Sequence, residues 1–140
     1  MDRLPVTLSS FGFKYGLPTT ATLVWDVRFL PNPFWLEEMR SLTGLDRGVA
    51  DYALLGPVGI EFLRLVRPLL VFLVEQSLAA GRQEFWLAIG CTGGQHRSVA
   101  VVEALRQDLL ALPVELTVVH RDIARSGDLQ APGFTDGRRS

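Results

Sequence analysis

The sequence holds one cysteine, Cys91, and one lysine, Lys14, in 140 residues. A single cysteine excludes an internal disulfide and a cysteine-rich zinc site, and it suits a reducing cytoplasm. No G-x-x-x-x-G-K-[ST] segment and no G-x-G-x-x-G fingerprint occur, so neither phosphate-gripping loop of the common nucleotide folds is present. The opening "MDRLPVTLSS" lacks the apolar core of a signal peptide. The longest apolar run, residues 60–80, is interrupted by Arg64, Arg67 and Glu75 and reads as a core helix, because charges are costly inside a bilayer. Net charge is −1, so any nucleic-acid contact needs a local basic patch. These absences predict a soluble cytoplasmic protein with no membrane contact, no cofactor and no metal.

What is present is a core: 48% of residues are hydrophobic, enough for one domain burying roughly two thirds of its unfolded surface. Strand-like stretches fall at 6–13, 22–28, 84–89 and 115–120. Helical patterns fall at 34–41, just after Asp46 with Thr43 or Asp46 as its cap, at 59–80 and at 97–110. Strand, helix, strand over 84–120 is a βαβ unit, which makes its two strands parallel with a right-handed crossover. The expected fold is a single α/β domain over 1–123, a mostly parallel sheet flanked by helices. The Gly-, Ser- and Arg-rich residues 124–140 read as a flexible tail. Trp25, Trp35 and Trp86 read as core.

In a parallel sheet the C-terminal strand ends share one edge, where ligands bind. That edge collects Lys14, Asp26, Arg28, His96, Arg97, His120 and Arg121. The third strand runs into "GCTGGQHRS", Gly90 to Ser98, at the start of a helix. Unpaired N–H groups and the positive end of the helix dipole attract anions. Gly93 and Gly94 let the backbone approach a ligand, and Arg97 adds a bidentate donor. The candidate ligand residues are Asp26, Arg28, Cys91, Thr92, Gly93, Gly94, His96, Arg97, Ser98, His120 and Arg121. Each also has a structural reading: the histidines as partly buried polar groups, Asp26 as the partner of Arg28, Cys91 as a small buried hydrophobe.

The same loop has C-x-x-G-x-x-R-S spacing, which resembles the signature of cysteine-dependent phosphatases. There a thiolate attacks phosphorus, the arginine holds the phosphoryl oxygens and an aspartate protonates the leaving group. Cys91, Arg97 and Asp26 would fill those roles, although Gly90 replaces the histidine usual before the cysteine.

Four blocks in order, "SSFGFKYGLP", "DVRFLPNPFW", "TGLD" and "IGCTGGQHRSV", resemble the C-terminal domain of the RapZ (YvcJ) family over residues 8–121. Family members carry an N-terminal P-loop domain ahead of this one. The resemblance implies regulatory binding: the best-known members present small RNAs to a ribonuclease, and their C-terminal domain binds glucosamine-6-phosphate, contributes to RNA binding and self-associates. Matched by motif, phosphosugar contacts fall on Asp26, Cys91, Thr92, Gly93, His96 and Arg97, with Arg28 and Arg121 beside them. Two departures stand out. Phe34 replaces the histidine of the enterobacterial "LPNPHW". Beyond Arg121, "DIARSGDLQAPGF" mixes in acids where those members are lysine-rich, which predicts weak or absent RNA binding.

The reading is therefore a regulatory domain that binds a phosphorylated small molecule and signals to a protein partner, as a homo-oligomer. A phosphatase and an RNA-binding adapter module are the alternatives.

Overall fold

A computed structural model of the chain describes residues 3–125. Four strands, β1 (Leu4–Gly12), β2 (Leu23–Asp26), β3 (Phe85–Cys91) and β4 (Val114–His120), form one sheet in the order β2-β3-β1-β4. Every neighbouring pair is parallel. Three helices, α1 (Arg47–Leu54), α2 (Pro57–Ala79) and α3 (Arg97–Arg106), complete the α/β domain. Residues 126–140, most of the expected tail, lie outside the described residues.

Alternation along β1 separates two faces. Leu4, Val6 and Leu8 share a face with Phe85, Leu87 and Ile89 of β3, and these six join Leu70, Val74, Val101 and Leu105 in the core. Helix α3 lies on this face, with α1 against α3 and α2 against α1. The connections β2→β3 and β3→β4 move in one direction across the sheet, β4 being reached by crossing over β1. The β1→β2 connection moves the other way, so a right-handed crossover places it on the opposite face. There Phe13 packs edge-on against Phe11, with ring centroids 4.8 Å apart. Gly90 is required beneath them, since a Cβ would stand 2.7 Å from the Phe13 ring.

Several boundaries differ from the sequence expectation. Residues 34–41 make two 3-10 turns, Pro33–Trp35 and Glu37–Met39, in place of a helix. The Asn32 side chain accepts from Phe34 N, and Leu36 is extended between the turns, which breaks helical hydrogen bonding. Trp35 is consequently 57% exposed and not a core residue. Trp86 is part-buried, its indole N–H donating to Ser9 Oγ at 2.8 Å. Asp46 is the N-cap of α1, yet its carboxylate accepts from Thr43 N, in the turn before the helix. Helix α3 tightens into a 3-10 turn at Gln107–Leu109. Pro68 sits inside α2 at an exposed position, where its missing N–H costs a helical hydrogen bond. Among the described residues, no helix is long and apolar enough to cross a membrane.

Candidate functional site

At the C-terminal edge of the sheet, the loop from β3 into α3 turns on Gly94, whose φ is +75°. A Cβ there would lie 2.6 Å from Gly12 N, so the loop rests main chain to main chain on the end of β1. Lys14 N donates to Thr92 O at 3.2 Å and Gly44 N to Gln95 O at 2.9 Å, fixing the loop from both sides. The Gln95 amide also donates to Arg125 O.

The loop, Asn32 and Phe34 line a shallow recess open to solvent. Of the sequence candidates, Cys91, Thr92, Gly93, His96 and Arg97 line it. Asn32 and Gln95 join them, and neither was among those candidates. The signal for Asn32 was available in "LPNP": a side-chain acceptor before a proline-led turn, carried to the same edge by β2.

Arg97 forms the floor and is 3% exposed. Its Nη1 donates to Arg28 O at 2.7 Å and Leu30 O at 3.3 Å, tying the segment after β2 to the start of α3. Burial lowers its pKa from the ordinary guanidinium value, against an opposing pull from Cys91. Cys91 is buried at 2% exposure. Ser98 N donates to its Sγ at 3.4 Å, and Ser98 Oγ stands 3.2 Å from that sulfur.

The other candidates share the edge without lining the recess. Asp26 and Arg28 bind each other, through Nη2–Oδ2 at 2.7 Å and Nε–Oδ1 at 3.0 Å. Hydrogen bonding from Arg28 holds the Asp26 carboxyl below the usual carboxylate range. The Arg28 guanidinium lies 4.1 Å above the Phe13 ring. His120 is on the helix face of the sheet, its Nδ1 2.7 Å from Ser10 Oγ and its Nε2 2.7 Å from Glu103 Oε2. Burial raises the Glu103 pKa, but hydrogen bonds from His120 and Arg106 outweigh it, and the net direction is down. Arg121 donates to Gly16 O and to Asp122, each at 2.8 Å. Asp122 was not a sequence candidate. It is wholly buried, accepts Gly12 N at 2.8 Å and pairs with Arg125 at 2.9 Å. No group of three or more metal-ligating side chains occurs among the described residues.

A helix N-terminus, a threonine hydroxyl, an imidazole, an asparagine amide and an arginine thus line one recess, a set of groups whose chemistry suits an anion. Residues 4–124 match the family model described as the RapZ C-terminal domain. The chain belongs to that family. A nucleotide-binding protein of Mycobacterium leprae is 53% identical over 121 residues, covering 86% of this chain and 41% of that protein. One from Mycobacterium avium is 49% identical over 126 residues, 87% of this chain and 42% of the relative. One from Parafrankia is 50% identical over 124 residues, 89% and 43% respectively. The chain thus spans well under half the length of these curated relatives.

Proposed function

We propose that this RapZ C-terminal domain binds a phosphorylated metabolite, an amino- or hexose-phosphate such as glucosamine-6-phosphate, and signals its occupancy to a protein partner. The supporting observation is the recess itself, lined by Thr92, Gly93, His96 and Arg97 where β3 leads into α3 and by Asn32 after β2. The phosphoryl group takes the floor, drawn by the helix dipole and the buried guanidinium, and receives hydrogen bonds from Thr92 and Asn32. The sugar lies at the mouth, toward Phe34. An aromatic ring there offers an apolar contact where the enterobacterial sequence offers an imidazole, so the choice of sugar differs. Asp26, paired with Arg28, stands outside the recess and reaches only the sugar hydroxyls or amine.

Thermal unfolding against inorganic phosphate, glucosamine-6-phosphate, glucose-6-phosphate, glucosamine and a short RNA tests this reading. A ligand at one hundred times its dissociation constant stabilises by about 2.7 kcal/mol. Stabilisation is expected from the phosphosugars and not from glucosamine or RNA. Asn32→Asp keeps the acceptor for Phe34 N and puts a negative charge on the recess wall, so the shift shrinks while the fold persists. No shift with any phosphate, or an undiminished shift in that variant, overturns the proposal.

One observation favours a second reading, a cysteine-dependent phosphatase: the Ser98 hydroxyl and N–H, at the start of α3, both stand within hydrogen-bond reach of Cys91 Sγ. Against it, Asp26 is held ionised by Arg28, so no acid is poised to protonate a leaving group. Phosphate release that disappears in Cys91→Ser would establish it; release unchanged by that substitution would remove it.

A further inference from the structure

The recess lies where the strands end; a separate groove lies where they begin. It runs between β2, the outer strand of the sheet, and the last turns of α2, and Leu23, Leu73, Ala80 and Phe85 give it an apolar lining. Thr22 fixes the start of β2 to β3, its N–H donating to Trp86 O at 2.9 Å and its hydroxyl accepting Trp86 N at 3.0 Å. The far side of β2 has no strand partner among the described residues, which leaves that edge open to another chain. Burial alternates along β2, with Leu23 and Trp25 packed against the core and Val24 and Asp26 exposed. A strand laid beside it alternates in the same way and sends every second side chain into the groove.

The end of α2 sets the charge. Gly81, at φ +70°, turns the chain so that its N–H donates to Leu78 O at 3.1 Å and Arg82 N to Ser77 O at 3.0 Å. These bonds cap helix carbonyls that would otherwise present partial negative charge, and they bring Arg82 to the groove. The Ser77 hydroxyl is already spent on Leu73 O within the helix. Arg82 is exposed and makes no ion pair among the described residues.

We propose that this groove binds the C-terminal end of an extended peptide from a protein partner, added antiparallel to β2. The inference is independent of the recess and its ligand. Charge decides the direction. Arg82 stands just before β3, at the end of the sheet where the parallel β2 also begins. An antiparallel strand brings its terminal carboxylate to that end, whereas a parallel strand would bring its ammonium group to a guanidinium. The last side chain of the peptide, and the one two residues before it, are apolar and enter the groove. Main-chain bonds to the β2 edge supply affinity, while the groove and Arg82 select the terminus.

Amide NMR of the full isotope-labelled chain, titrated with acetyl-Thr-Val-Thr-Val ending in a free carboxylate, tests the groove. Shifts are expected at residues 22–26, at 77–82 and at Phe85. The same peptide ending in a carboxamide is expected to bind about fivefold more weakly, the upper range for one exposed ion pair. Arg82→Gln, at an exposed position, is expected to weaken the free acid by the same factor and to leave the carboxamide unaffected. Ala80→Glu, also exposed, sets a carboxylate in the groove and is expected to weaken the free acid further with the fold unchanged. Absence of shifts at 22–26 with millimolar peptide, or equal binding of acid and carboxamide, overturns the proposal. So do groove shifts caused by octanoate and not by the peptide, which would make the groove a site for small acids.

Discussion

The Asp122 carboxylate accepts the main-chain N–H of Gly12 at 2.8 Å from a wholly buried position. It thereby joins the end of β1 to the segment after β4, next to the β3–α3 loop that rests on Gly12. Arg121 and Arg125 neutralise it from the solvent side. The loop that forms the recess is therefore held by an ion-pair cluster that does not itself line the recess.

Asp122→Ala is expected to destabilise the domain by about 3 kcal/mol, the low end of the range for breaking a buried pair, because both arginines reach solvent. The substitution also leaves the Gly12 N–H without its acceptor. Urea unfolding measures this; a change within error would mean that water replaces the carboxylate at no cost.

Gly94 sets the loop in a different way. Alanine in its place meets the left-handed conformation, about 1 kcal/mol, and the Gly12 main chain as well, so a total loss of about 2–3 kcal/mol is expected. Under the proposed function, loosening the loop is also expected to weaken phosphate binding. Chemical denaturation and a phosphate thermal shift on the same Gly94→Ala sample check both effects; native stability with full binding would show that the turn relaxes freely.

The apolar runs of β3 and β4, the glycine loop and the helix behind it were legible in the sequence, because local pattern alone determines them. The family blocks carried the same information in another form. Less legible was the direction in which each polar side chain turns. His120 and Arg121 follow β4 onto the expected edge, but pleat parity sends His120 to the helix face and Asp122 draws Arg121 aside. Arg28 and Asp26 satisfy each other two residues apart, an outcome that spacing permits without requiring. The turns at 33–39 escaped for a different reason: Asn32 and Pro33 override a weak helical pattern through one side-chain hydrogen bond.

Arg97 ties together two segments far apart in the chain. Lysine at this position keeps the charge, but its shorter side chain does not bring a donor to the position from which Nη1 reaches both Arg28 O and Leu30 O. Arg97→Lys is expected to lower stability by about 1–3 kcal/mol, the range for a buried hydrogen-bonding group left unsatisfied, and to weaken phosphate binding. If the variant keeps full stability while binding falls, Arg97 acts on the ligand alone and its carbonyl contacts are incidental.

Glu103 connects α3 to β4 through His120 and carries a pKa displaced downward. A carboxylate with a lowered folded pKa stabilises the native state fully above its unfolded value, about 4.3, and loses that contribution as pH falls through the lower folded value. Glu103→Gln removes the charge at every pH. The urea midpoint of wild type is therefore expected to exceed that of the variant at pH 6, and the gap to close on acidification below about pH 4. Direct proof comes from unfolding both proteins over that range. A gap that holds constant into acid would assign the difference to packing and hydrogen-bond geometry, and the Glu103–His120 contact would then contribute without its charge.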